Sequence, residues 1–355
     1  MTLQLTTSVN RQQQCLLVEI ILILLLSACR PGPAPVSTPA ATGTPSATAV
    51  PDLMSGPIAP YPGNPVFTVG TAGAWDSGAV FNPRVVIQDG IYHMFYSGST
   101  DATLPTLAIG YAVSNDGRTF TRQAAEPILA GDGRGFDARQ VSSGVPLLVG
   151  EQWVLYYSAG GGPGPGKAIG RAVAPTPTGP WERSSQPVLL VGEPGEWDAA
   201  YIVPESVLSA DGGYVMYYTA GDAWPEGTAM IGMATSPDGI TWKKHNGPVL
   251  QPGAQGAWDS AGVWGCTVIK TESGWEMFYT GGDGTTVSIG YATSADGVNW
   301  HKFEENPILS PADDPALVTT ILQSPSVVKD NAGYLVYYDY GVSGGGIGLA
   351  MGSEP

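Results

Sequence analysis

The chain of 355 residues is poor in cysteine, in positive charge and in histidine, and each shortage excludes a class of protein. Its three cysteines are Cys15, Cys29 and Cys266, and only Cys266 lies beyond residue 57, so no disulfide can form within the bulk of the chain. Neither a CxxC pair nor a Cys/His zinc site can be assembled. Fifteen lysines and arginines against 31 carboxylates give a net charge of -16, without a basic stripe for phosphate backbones. Nucleic acid is therefore not an expected partner. Three histidines argue against a His-based metal site. Helical periodicity is missing after residue 29, whereas 49 glycines and 31 prolines supply many turns, which suits an all-β protein.

What is present is a repeat. Trp75-Asp76 returns as Phe136-Asp137, Trp197-Asp198 and Trp258-Asp259, each 61 residues after the last. Phe120, Trp181, Trp242 and Trp300 follow in a second register, and Ile-Gly recurs five times, at Ile109, Ile169, Ile231, Ile289 and Ile347. Five copies of one unit therefore fill residues 58–355. Each begins with an apolar run, strand A (Val80 to Ile87, Val141 to Val149, Ile202 to Leu208, Val263 to Ile269, Ile321 to Val328). An alternating aromatic run, strand B, comes next, then strand C with the Ile-Gly, then strand D. Turns such as Ser114-Asn115-Asp116-Gly117 join C to D, the Asp-Gly supplying the positive φ that a hairpin needs. Four antiparallel strands repeated radially predict a five-bladed β-propeller. The fifth unit stops after strand C, while residues 58–67 match the end of a strand D with no blade before them. An N-terminal strand is thus expected to close the fifth blade and remove an exposed edge.

Ahead of the repeats, residues 16–28 form an apolar run too short for a membrane span and ending in small residues, as an export signal does. Leu26-Ser27-Ala28-Cys29 resembles a bacterial lipobox, which implies cleavage before Cys29, lipidation of its thiol and a place at the outer face of a membrane. An ordinary signal peptide is the alternative. Residues 30–57, rich in Pro, Thr and Ala, read as a linker.

The loops of such a ring alternate between faces, and only the face carrying the B-to-C loops varies (STDATLPT, AGGGPGPGK, GDAWPEGT, GGDGTT). The functional funnel is expected there. Four equivalent aromatic-Asp pairs describe a packing device, so a catalytic residue should be one that breaks the repeat. Among the aligned A strands Glu205 is the sole carboxylate. Burial there should raise its pKa toward that of a general acid; the alternative is a Glu paired with Arg84 or Arg139. His93, aligned with Val154, Val215, Glu276 and Leu335, is expected to face solvent.

The repeat signposts, with Ile-Gly-x-Ala-x-Ser-x-Asp-Gly-x-x-Trp, resemble the five-bladed superfamily of glycoside hydrolase families 43, 32, 62 and 68. The resemblance implies activity on O-glycosidic bonds, a carbohydrate partner, a monomer and no cofactor, with a structural calcium left open. It further implies three acids on the first three A strands. Glu205 stands where the general acid belongs, but blade one has Asn82-Pro83 and blade two Ser142-Ser143 where the other acids are expected. Asp76 or Asp101 is the candidate replacement base. Asn82 and Arg84 are expected at the substrate. Two other readings stay open: a phosphorylase like the related mannoside phosphorylases, with Arg84, Arg139, Lys167 and Arg171 on phosphate, and a non-catalytic glycan-binding ring with Trp224 and Trp264 stacking on sugars. A scaffold for protein partners is a third class.

Overall fold

The structure is a computed structural model that describes residues 57–352, apart from Pro105, 161–165, Pro225, Val318, Ala332 and 342–344. The signal segment with Cys29 and nearly all of the linker lie outside the described residues. Five antiparallel sheets form five blades. Their A strands are Ala79–Gln88, Gln140–Val149, Tyr201–Ala210, Gly262–Thr271 and Leu322–Asp330. Each A strand lies beside the A strands of both neighbours, which closes the ring around a central channel. The N-terminal strand Ala59–Pro60 pairs with Gly346–Gly352, strand C of blade five, with Ala59 opposite Met351. The expected closure is therefore present.

The core is divided into five clusters, each between two adjacent blades. Strand B explains this, because its alternation sends apolar and aromatic side chains into both neighbouring interfaces. Paired aromatics near its middle, such as Tyr156-Tyr157, Tyr217-Tyr218 and Tyr337-Tyr338, are fully buried. The first of each pair reaches the next blade: Tyr156, Tyr217 and Tyr337 donate to the carbonyls of Gly239, Gly297 and Gly117 in the Asp-Gly turns. Blade one has Phe95 at this position, and the turn it faces in blade two is the one built without Asp-Gly.

The second tyrosine of each pair closes a latch. Tyr96, Tyr157, Tyr218 and Tyr279 donate to Asp76, Asp137, Asp198 and Asp259. The same carboxylates take a cation from the outer strand, respectively Arg122, Arg183, Lys244 and Lys302. A glycine six residues earlier makes room: a Cβ at Gly192 would lie 2.1 Å from Asp198 Oδ1. Blade five carries an equivalent that sequence spacing does not reveal, since Asp314 lacks the preceding aromatic. Asp314 accepts from Tyr338, and Asn64 of the closing segment takes the place of the cation.

The outer strand of blade one pairs with strand C in two short stretches, at Thr121–Arg122 and Leu129–Ala130. One expectation needs correction. His93 does not face solvent. It is half-buried at an interface between blades, 2.5 Å from Tyr111 Oη and against the Trp153 ring, and burial lowers its pKa. The equivalent Glu276 is fully buried and accepts from Tyr334 Oη, so this is an inter-blade position throughout.

Candidate functional site

Every A strand carries a bulge against strand B about four residues from its start. The extra residue breaks the pleat and turns a side chain toward the axis, as bulges near sites do. At four blades the bulge opens with a left-handed residue, Asn82, Ser143, Gly265 and Ser324, with φ of 49°, 51°, 49° and 54°. Three of these are not glycine, and such strain is retained where neighbours hold it. Each of the four donates its backbone N–H to strand B of the preceding blade, at Asp339, Ser97, Thr219 and Thr280 respectively. Blade three departs from the pattern. Pro204 stands at this position with no N–H to give and a φ that cannot turn positive. The next residue is Glu205.

Glu205 is buried and is held on both carboxylate oxygens. Arg84, from blade one across the channel, donates Nη2 to Oε2, and Thr219 donates to Oε1 at 2.7 Å. Of the two arrangements open for Glu205, pairing with Arg84 is thus the one present, yet its pKa is still raised. Desolvation is the largest cause and outweighs Arg84 and Thr219, and the charge of Asp339 adds to it. The carboxyl therefore holds its proton beyond the usual range, as a general acid must. Arg84 also reaches the carbonyls of Pro83 and Ser324, and its buried Nε has no partner among the described residues.

Asn82 is fixed on three sides, by its N–H to Asp339, its amide to Ser143 Oγ at 2.7 Å, and its carbonyl oxygen accepting from Ser324 Oγ at 2.8 Å. Gln323 donates to Asp339 Oδ2 at 3.0 Å and accepts from the Trp264 indole at 3.3 Å. Asn82, Gln323 and Trp264 are half-exposed at the channel mouth on the face of the B-to-C loops. On the other side of the Arg84–Glu205 pair, the channel is a cavity of about 370 Å³ lined by residues such as Val85, Val145, Val207, Val268 and Val327. The ion pair lies between the mouth and this channel and lines the channel together with Ser206, Thr267 and Ser326.

The structure gathers Glu205, Arg84, Asn82 and Trp264 and leaves the other expected residues elsewhere. Asp76 is corrected as a candidate base: it is buried in the first latch, held by Tyr96 and Arg122, and shares no hydrogen bond with the Glu205 network. Asp101 is exposed, and its carboxylate accepts from the Thr103 N–H in a local turn that lowers its pKa. Arg139 is exposed outside the ring of bulges. Trp224 is 41% exposed and packs edge-on against Tyr201 with ring centroids 5.6 Å apart. Arg171 is turned to Tyr156, and Lys167 is exposed, so neither joins Arg84. Among the described residues no three His, Cys, Asp or Glu side chains gather as a metal site would require.

Asp339 is the residue that sequence reasoning missed. The aligned strand-B positions are Ser97, Ser158, Thr219, Thr280 and Asp339, so a carboxylate breaks a ring of hydroxyls. The signal lies in strand B, outside the A-strand column in which Glu205 stands.

Comparison with known proteins adds the following. Residues 212–354 match glycoside hydrolase family 130, described as beta-1,4-mannooligosaccharide phosphorylase. A 1,2-beta-oligomannan phosphorylase of a Thermoanaerobacter species is 26% identical over 304 residues, spanning 81% of this chain and 94% of that protein. An uncharacterized Mycobacterium tuberculosis protein is 28% identical over 279 residues, spanning 75% of this chain and 89% of its own length. Among solved structures, one comes from work on mannoside phosphorylases of family 130 that contain hydrolases targeting β-1,2 mannosidic linkages in Candida mannan. It is similar with a TM-score of 0.67 and 19% identity, over 86% of this chain and 98% of that one. A thermostable family-43 glycoside hydrolase is similar with a TM-score of 0.60 and 19% identity, over 78% and 89%. The chain has the five-bladed fold of the glycoside hydrolase-like propellers.

Proposed function

We propose that the protein cleaves a β-mannosidic bond at the mouth of the channel, with Glu205 giving its proton to the departing glycosidic oxygen. The observation that carries this is the one carboxyl at the bulges of the A strands, buried, raised in pKa and placed after Pro204, where blade three lacks the left-handed residue that opens the other four bulges. A protonated carboxyl at the leaving oxygen contributes about 10²- to 10⁴-fold to such a cleavage. Arg84 fixes the Glu205 carboxyl opposite the mouth, while Asn82 and Gln323 offer hydrogen bonds to sugar hydroxyls beside the Trp264 ring. The mannoside class is suggested by the printed activities of the similar proteins. The reading extends to an exported protein tethered through Cys29, which a Cys29→Ser variant lost from the membrane fraction supports and one retained there contradicts.

The acceptor is water or phosphate. Phosphorolysis is favoured by the family-130 match over residues 212–354; hydrolysis is favoured by the site itself, where, among the described residues, Arg84 is the cation that meets Glu205 and is already occupied by it. The test is cleavage of β-1,2- and β-1,4-mannobiose by the wild type and Glu205→Gln, with and without inorganic phosphate, beside arabinan and xylan oligosaccharides. Mannose without added phosphate, lost in Glu205→Gln, supports a hydrolase; mannose 1-phosphate only when phosphate is present identifies a phosphorylase. Saturable binding without cleavage under either condition would sink the enzymatic reading and leave a glycan-binding ring.

A further inference from the structure

Hydrolysis needs a group that takes a proton from the attacking water, and the A strands of blades one and two provide none. We infer that Asp339, on strand B of blade five, fills this place: it takes up that proton through the Ser324 hydroxyl while anchoring Asn82 and Gln323 at the mouth. The inference rests on the hydrolytic form of the reading above.

Four observations carry it. Asp339 occupies the position where the other blades have Ser97, Ser158, Thr219 and Thr280, all of them hydroxyls. Anchoring the next blade needs only an acceptor, because Ser97, Thr219 and Thr280 hold the N–H of Ser143, Gly265 and Ser324 without any charge. A fully buried carboxylate in their place is costly unless it is used. Its oxygens meet Asn82 N–H and Gln323 Nε2, both from residues that reach the mouth, and Ser324 hydrogen-bonds both Asp339 and Asn82. The charged groups that act on it are Arg84 and Glu205. Burial pushes the Asp339 carboxyl up to about 6, so it is a usable base near neutrality.

The step balances. The water oxygen bonds to the anomeric carbon as the glycosidic C–O bond breaks, and the Glu205 proton goes to the leaving oxygen. A water proton passes to Ser324 Oγ as the Ser324 hydroxyl turns from Asn82 Oδ1 and gives its own proton to Asp339. Asp339 works through Ser324 and is a positioning residue rather than one that touches the sugar. A phosphate dianion would need no such acceptor, so the inference commits to water.

The experiment is the pH profile of phosphate-free mannobiose cleavage by the wild type, Asp339→Thr, Asp339→Asn and Glu205→Gln, with urea midpoints measured alongside. Asp339→Thr restores the hydroxyl of the other blades and Asp339→Asn keeps the shape, so one of the two supplies a folded variant. The expected result is loss of kcat by about 100-fold or more at a urea midpoint no lower than that of the wild type, with the fall in rate below about pH 6 abolished. A folded Asp339→Thr with wild-type kcat and an unchanged acid limb overturns the inference and leaves Glu205 standing. A wild type that requires phosphate overturns it in favour of phosphorolysis, and a wild type inactive under every condition overturns this inference and the enzymatic reading together.

Discussion

The rim of the propeller and its axis are built from the same five repeats and treat them in opposite ways. At the rim the Tyr–Asp latch occurs in every blade, with a cation in four and Asn64 in the fifth. Around the axis each blade holds the same bulge, but the side chains differ: Pro83, Gly144, Glu205, Cys266 and Pro325 share one level of the ring. Interfaces between equivalent blades pose the same packing problem five times and accept the same solution. A substrate that occupies the axis is not five-fold symmetric, so residues that meet it must differ. Identity marks packing here, and departure marks chemistry.

The largest way to break that comparison is to remove a latch. Asp76→Ala leaves Arg122 and Tyr96 without their buried partner, and loss of one member of such a pair costs about 3–5 kcal/mol. Urea denaturation should show that loss while kcat of the remaining folded enzyme is unchanged; a stable but inactive Asp76→Ala would return Asp76 to the list of catalytic groups.

A smaller effect of opposite sign is expected at the axis. The Asp339 pKa of about 6 in the folded chain lies above the unfolded value of about 3.9. Its stability contribution is therefore present below about pH 4 and lost as pH rises through about 6, a cost of up to about 3 kcal/mol at pH 8. Asp339→Asn should raise the urea midpoint at pH 8 and give no gain at pH 4. Equal midpoints at pH 8 would show that the buried carboxylate carries no cost, and would remove one reason for regarding it as functional.

The fold was legible because a propeller writes its packing into the sequence at a fixed period. The Trp-Asp pairs, the Ile-Gly strands and the Asp-Gly turns each mark an element, and even the closure by residues 58–67 followed from a missing outer strand. The fifth latch escaped because Asp314 has no aromatic before it and no cation opposite. His93 escapes its expected exposure because Tyr111 and Trp153 cover it, and a polar residue in a column of apolar ones does not reveal such neighbours. The site was half legible. Glu205 stood out in the A-strand column, but its contact with Arg84 across the channel joins residues 121 apart, and no local pattern encodes that pairing. Asp339 lies in a strand-B column whose other members are hydroxyls that anchor the next blade or stand beside it, so its charge is masked by a packing pattern.

The smallest prediction sharpens the rule at a single hydroxyl. Tyr156→Phe removes the hydrogen bond to Gly239 and should cost about 1 kcal/mol. Phe95→Tyr should gain nothing, because blade two offers no Asp-Gly turn to receive it. A stabilised Phe95→Tyr would mean that the hydroxyl and the turn are not coupled.

The most direct test of the central claim compares two neighbouring carboxylates of blade three in one experiment, Asp198→Asn at the rim and Glu205→Gln at the axis, with urea midpoint and kcat/KM read for each. The account predicts that Asp198→Asn loses stability and its folded fraction keeps kcat/KM, whereas folded Glu205→Gln loses kcat/KM by at least about 100-fold whatever its urea midpoint. Loss of activity in a folded Asp198→Asn, with folded Glu205→Gln still active, would contradict it.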